Sequence, residues 1–123
     1  MVLADIVRML SCEVFAGEET LDRAVAYGCA SDLMSDVLAF SRTGSLLLTG
    51  LVNVQTVQTA HIAELNAIIF VRGKKPDGGV IALARSKEIP LLGTPYSMYE
   101  ACGILYRAGI PSTMGCAGAL AGS

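Results

Sequence analysis

Three short segments hold the residues whose types and spacing suit ligand chemistry: Thr49-Gly50-Leu51-Val52-Asn53, Arg72-Gly73-Lys74-Lys75-Pro76 and Gly93-Thr94-Pro95-Tyr96-Ser97. Together they offer a guanidinium, two ammonium groups, hydroxyls, a carboxamide, and glycines that let backbone approach a ligand closely. Each runs into a stretch of helical periodicity, and so brings free N–H groups and the positive end of a helix dipole to one place. That combination favours a small anion bearing phosphate or carboxylate. The candidate ligand set is Thr49, Gly50, Asn53, Arg72, Gly73, Lys74, Thr94 and Ser97. The basic segment is no Walker loop, because Gly73-Lys74-Lys75 lacks both an earlier spaced glycine and a following Ser or Thr. It is not GxGxxG either. The competing account of Lys74 and Lys75 is an ordinary solvated turn.

Other polar groups carry less. His61, the single histidine, shares a helical stripe with Val54, Val57 and Leu65. That placement suits packing at a helix–sheet or subunit boundary better than a catalytic base. In Ser31-Asp32-Leu33-Met34-Ser35-Asp36, Asp32 and Asp36 are spaced to share a helix face and hold a cation or a partner's basic group, whereas Ser31 or Asp32 also suits a helix N-cap. Cys12, Cys29, Cys102 and Cys116 are scattered without a CxxC pair, so they read as reduced thiols of a cytoplasmic protein. No metal, cluster or other cofactor is expected. Neither a Ser/His/Asp order nor a carboxylate pair marks a catalytic centre.

The three loops must be positioned by the apolar runs that precede them. Ser45–Thr49, Ala67–Val71 and Ile89–Leu92 are short and almost wholly apolar, as strands covered on both faces are. A helix-period segment follows each, so right-handed crossovers make them parallel and bring their loops to the carboxyl edge of one sheet. The first two intervening helices run from about Val54 to Leu65, closed by Asn66, and from the turn at Pro76 through Val80, Ile81, Leu83 and Ala84. Ser97-Met98-Tyr99-Glu100 is a capping box that starts the last helix, which Gly109 and Pro111 end near Ala108. Upstream, Leu3, Ile6, Val7 and Leu10 form an amphipathic helix. Cys12–Phe15 and Arg23–Cys29 are further strands. Leu33, Met34, Val37, Leu38 and Phe40 mark the apolar face of a helix that Thr43-Gly44 ends.

At 123 residues the chain has room for one domain with a real core. Charged residues interrupt each apolar run well short of the roughly 18 needed for a bilayer span, and no secretory pattern opens the chain. A net charge of -2 and the absence of Trp argue against nucleic-acid binding. Charged residues are only 16% of the chain against a usual ~25%, and mean hydropathy is +0.56. Surface this apolar predicts self-association, most simply a homodimer through the last helix.

The residues also resemble a known family. Leu46 through Tyr106, with AIIFVRGKKPD, a helix, EIPLLGTPYSMYEA and ILY, resembles the DRTGG domain. The stretch 17–50, GEETLDRAVAYGCASDLMSDVLAFSRTGSLLLTG, is similar to stand-alone members associated with iron-only hydrogenase genes. Its opening GEETLDRAV is similar to the N-terminal domain of HPr kinase/phosphorylase and, more distantly, of Mur ligases. The family's Asp-Arg falls near Gly50-Leu51-Val52, where it is missing, and its Thr-Gly-Gly falls at Val71-Arg72-Gly73, where one glycine is kept. The resemblance implies a three-layer α/β/α fold with a mostly parallel sheet over residues 1–111, followed by a mobile Gly/Ala-rich tail over 112–123. It implies a non-enzymatic regulatory domain that binds a small phosphorylated or nucleotide ligand, or a hydrogenase-related protein partner. The alternatives are an oligomerisation module without a ligand and an enzyme acting on a phosphorylated metabolite.

Overall fold

The computed structural model describes residues 1–113. The three apolar runs become β3 (Ser45–Thr49), β4 (Ala67–Phe70) and β5 (Leu91–Gly93), all parallel. Two further strands flank them. β1 (Glu13–Ala16) pairs antiparallel with β5, and β2 (Tyr27–Ala30) pairs parallel with β3. The five-stranded order is β1-β5-β4-β3-β2, which is the mostly parallel α/β architecture expected.

Alternation along the strands splits the core in two. Leu46, Leu48, Ile69 and Leu92 point to the layer made by α1 (Leu3–Met9) and α5 (Met98–Arg107). Leu47, Ile68, Phe70 and Leu91 point to the layer of α2 (Met34–Phe40), α3 (Val54–Ile62) and α4 (Gly78–Ser86). Every residue of the three central strands is buried, which explains their near-continuous apolar sequence.

Local competition moves several boundaries. Residues 21–25 leave the sheet to serve α1: Ala4 N–H donates to the Leu21 carbonyl (2.9 Å) and Leu3 N–H to that of Arg23 (3.0 Å). Those carbonyls satisfy orphan donors of the first helical turn, so β2 starts four residues later than its β-propensity suggests. α2 takes Leu33 as its N-cap residue with no side-chain cap, so neither Ser31 nor Asp32 caps it directly. Only Met34 and Val37 of its apolar set are buried, whereas Leu33, Leu38 and Phe40 are exposed. Glu64 turns left-handed after α3, with φ 56°, and ends that helix before Leu65. Asp77 caps α4 by accepting from Val80 N–H at 3.0 Å, which leaves Pro76 outside the helix rather than in its first turn.

Beyond α5, Ser112 bridges Gly28 in the parallel sense, and Thr113 is buried. The start of the expected tail thus lines the outer edge of β2. The rest of that tail, with Cys116, lies outside the described residues. Among the described residues, no helix is long and apolar enough to cross a membrane.

Candidate functional site

The loops after β3, β4 and β5 meet at one edge of the sheet, and backbone hydrogen bonds tie them together. Arg72 N–H donates to the Tyr96 carbonyl (2.8 Å) and Gly73 N–H to that of Thr94 (2.9 Å). Both residues are left-handed, with φ 60° and 69°. Glycine adopts that conformation freely, whereas in arginine it costs about 1–2 kcal/mol. The two bonds hold the strained turn and lift the Arg72 side chain over the end of β3.

Gly50 is the focus of this edge. A Cβ placed on it would lie 3.3 Å from Arg72 Nη2, 3.5 Å from Lys74 Nζ and 3.5 Å from Asp32 Oδ2. Two cations and a carboxylate, all on exposed residues, therefore converge on Gly50, where any side chain at residue 50 would press against Arg72. Lys74 Nζ donates to the Gly50 carbonyl at 2.8 Å. The Arg72 guanidinium makes no hydrogen bond or ion pair among the described residues.

Asp32 was expected to cap a helix or to share a helix face with Asp36, and it does neither. It lies ahead of α2, in the loop after β2, and reaches across to β3. Its Oδ1 accepts from Gly50 N–H at 2.7 Å and from the Thr49 hydroxyl at 2.9 Å. The Gly50 N–H bond, the Thr49 hydroxyl and the nearby Lys74 and Arg72 charges hold its carboxyl below the usual carboxylate range, against a smaller opposing effect of desolvation. Asp32 is thus ionised at neutral pH, and its Oδ2 accepts no hydrogen bond from any described residue. The sequence signal for this role was position: Asp32 lies two residues past β2, at the same carboxyl edge as the other loops.

The remaining candidates divide by what their polar groups already do. Thr49 is buried and donates to Asp32. Asn53 Oδ1 caps α3, accepting from Thr56 N–H at 2.9 Å. Ser97 Oγ caps α5, accepting from Glu100 N–H at 3.1 Å, and its hydroxyl rather than its backbone N–H meets the Glu100 carboxylate. Thr94 is buried, and its hydroxyl donates to the Leu10 carbonyl at 2.6 Å, locking the end of α1 to β5. Lys75 turns away to pair with Glu13 at 3.4 Å. Gly50, Arg72 and Lys74 are the members brought together, whereas Gly73 spends its N–H on the Thr94 carbonyl. His61 is exposed on α3 instead of packing against the sheet.

A cleft of about 190 Å³ runs beside Lys74 between β1 and the loop after β5. A larger concavity, of about 530 Å³, lies apart from the charged trio, between α5 and the rim of β2. Its walls include Cys29, Cys102, Tyr99, Tyr106 and Ile110, with no charged residue among them.

Residues 5–108 match the family model of the DRTGG domain. Among solved structures, the chain is similar to the CBS and DRTGG domains of the regulatory region of Clostridium perfringens pyrophosphatase, complexed with its activator diadenosine tetraphosphate. The TM-score is 0.73 at 18% sequence identity, a likeness of fold. It covers 91% of this chain and 48% of the other, so this chain spans about half the length of that regulatory region. No curated protein matches by sequence.

Proposed function

Since the chain belongs to the DRTGG domain family, whose members are regulatory, ligand-sensing domains, we propose that it senses a small phosphate-bearing anion at the Gly50 edge. The observation that carries this reading is the Arg72 guanidinium, held over Gly50 by a strained turn and paired with no described residue. Strain of this kind persists only where surrounding structure enforces it, and it clusters at binding sites. Lys74 adds a second cation converging on the same glycine. The activator in the pyrophosphatase regulatory region is itself a polyphosphate, which supports the ligand class. The domain acts by binding rather than by catalysis. Its cytoplasmic placement is supported by the free thiols of Cys12, Cys29 and Cys102.

A thermal-shift panel of nucleotides, phosphorylated metabolites and inorganic phosphate tests the proposal. A ligand at 100 times its Kd raises stability by about 2.7 kcal/mol. Arg72→Ala combined with Lys74→Ala should abolish that shift and leave the fold intact. Full affinity in the double variant places the site elsewhere.

A second reading, assembly through α5, has its own support. Tyr99 and Tyr106 are 89% and 71% exposed beside the apolar groove. Burial of apolar surface contributes about 25 cal/mol per Å², so a second copy seated on this face would be stabilised. Light scattering at micromolar concentration checks it: twice the mass of 12.8 kDa is expected, and Tyr99→Lys with Tyr106→Lys should return the protein to monomer. The protein partner we propose is hydrogenase-related, on the resemblance of residues 17–50. Co-purification with hydrogenase subunits is the expected outcome.

A further inference from the structure

The carboxylate in the Gly50 cradle has no obvious place in a site built only to attract anions. Asp32 Oδ2 lies 3.5 Å from the point where Arg72 Nη2 and Lys74 Nζ also converge, yet no ion pair within 4.0 Å joins it to either cation. Nor is Asp32 free to swing aside. Its Oδ1 is fixed by Gly50 N–H and the Thr49 hydroxyl, so Oδ2 is a permanent wall of the space. An anion that engages all three groups must accept hydrogen bonds from Arg72 and Lys74 while donating one to Asp32. A bare dianion cannot do both, since it has only acceptors and brings negative charge against an ionised carboxylate. An oxyanion that keeps a proton can.

We propose, resting on the anion-site reading above, that Asp32 is a specificity-determining residue that selects a protonated phosphate group and rejects fully ionised oxyanions of the same shape. In the bound arrangement the P–OH donates to Asp32 Oδ2, and the phosphoryl oxygens accept from Arg72 and Lys74. Inorganic phosphate keeps at least one proton at neutral pH, and a phosphate monoester, with a second pKa of ~6, keeps one in part. Sulfate, the same size and tetrahedral, keeps none. Discrimination comes from the repulsive contact that the wrong anion makes as much as from the bond that the right one forms.

The experiment is calorimetric titration of the intact chain with inorganic phosphate and, separately, with sodium sulfate at the same pH and ionic strength. The wild-type protein should bind phosphate at least about tenfold more tightly than sulfate, because an acceptor-only dianion is repelled by the fixed Asp32 carboxylate that a protonated phosphate donates to. Asp32→Asn should collapse that ratio to near unity by gaining sulfate affinity. The orientation of the new amide is forced. Its oxygen must stay on the Gly50 and Thr49 donors, so its NH2 replaces the acceptor in the cradle. Equal wild-type affinities for the two anions, both lost in Arg72→Ala/Lys74→Ala, would overturn the role of Asp32 and leave the anion site standing. Binding of neither anion by the wild-type protein would remove the site, and this inference with it. The wild-type ratio needs no variant, so a poorly folding Asp32→Asn leaves the proposal open to refutation.

Discussion

Arg72→Gly should make this protein more stable while it removes ligand binding. The native φ of 60° costs an arginine about 1–2 kcal/mol relative to glycine. Its guanidinium makes no hydrogen bond or ion pair with a described residue, and its attraction to the Asp32 carboxylate acts between exposed groups screened by solvent, so truncation forfeits little. Against the relief stands the greater freedom of glycine in the unfolded chain, about 0.4–1 kcal/mol. The net expectation is a gain of about 0.5–1 kcal/mol, equivalent to a Tm rise of about 2–5 °C for a domain of this size. Urea unfolding measures it, with an unchanged m-value showing that the effect is on stability alone. Arg72→Ala is the matched control: alanine keeps the strain and loses the charge, so it should abolish ligand binding with stability near wild type. A clear destabilisation in Arg72→Gly would refute the reasoning, since the arginine would then be supporting the loop rather than being held by it.

Three further outcomes follow from named contacts. Thr94→Val removes the hydroxyl that holds the Leu10 carbonyl and should cost about 1–3 kcal/mol in urea unfolding, while phosphate affinity stays at wild-type level. Gly17→Ala should cost about 2–4 kcal/mol, combining left-handed strain at φ 84° with a Cβ placed 2.8 Å from Pro90 Cα. The depressed Asp32 pKa makes its contribution to stability present above the unfolded value of 3.8 and lost as pH falls through the lower folded value. Between pH 5 and pH 2, urea midpoints of Asp32→Asn should therefore fall less steeply than those of wild type.

The fold was largely legible because its strongest signals are local and redundant. Ser45–Thr49 and Ala67–Phe70 are too apolar for anything except doubly covered strands, and the periodic segments between them are long enough to cross over. Boundaries failed where two elements compete for the same backbone. The strand expected over Arg23–Cys29 loses its first four residues, because unsatisfied N–H groups of α1 claim the Leu21 and Arg23 carbonyls. A one-dimensional pattern cannot show that demand, because it arises twenty residues away. The exposed Leu38 and Phe40 failed differently: helical spacing identifies an apolar stripe, but the width of stripe the sheet covers depends on where α3 packs.

The convergence of the three loops was legible, whereas the bonds that each polar residue makes there were not. Strand order fixed which loops converge, and with them Gly50, Arg72 and Lys74. Residue type and loop position do not show which polar groups already serve the fold, and an edge of buried strand ends must first satisfy itself. Thr94 holds α1, while Asn53 and Ser97 hold helix N-termini. None of these can turn to a ligand without leaving a buried or capping partner unpaired. Asp32 is the converse case. Its type and spacing suit an N-cap, and the competing donor, Gly50 N–H, comes from a neighbouring strand eighteen residues on. Once Oδ1 is committed there, the direction of Oδ2 follows from the planarity of the carboxylate. The edge then changes from a basic patch into a site with one acceptor and two donors. That polarity is the basis of the anion selectivity proposed above, and it depends on the close approach of three charged groups to a residue 50 without a side chain.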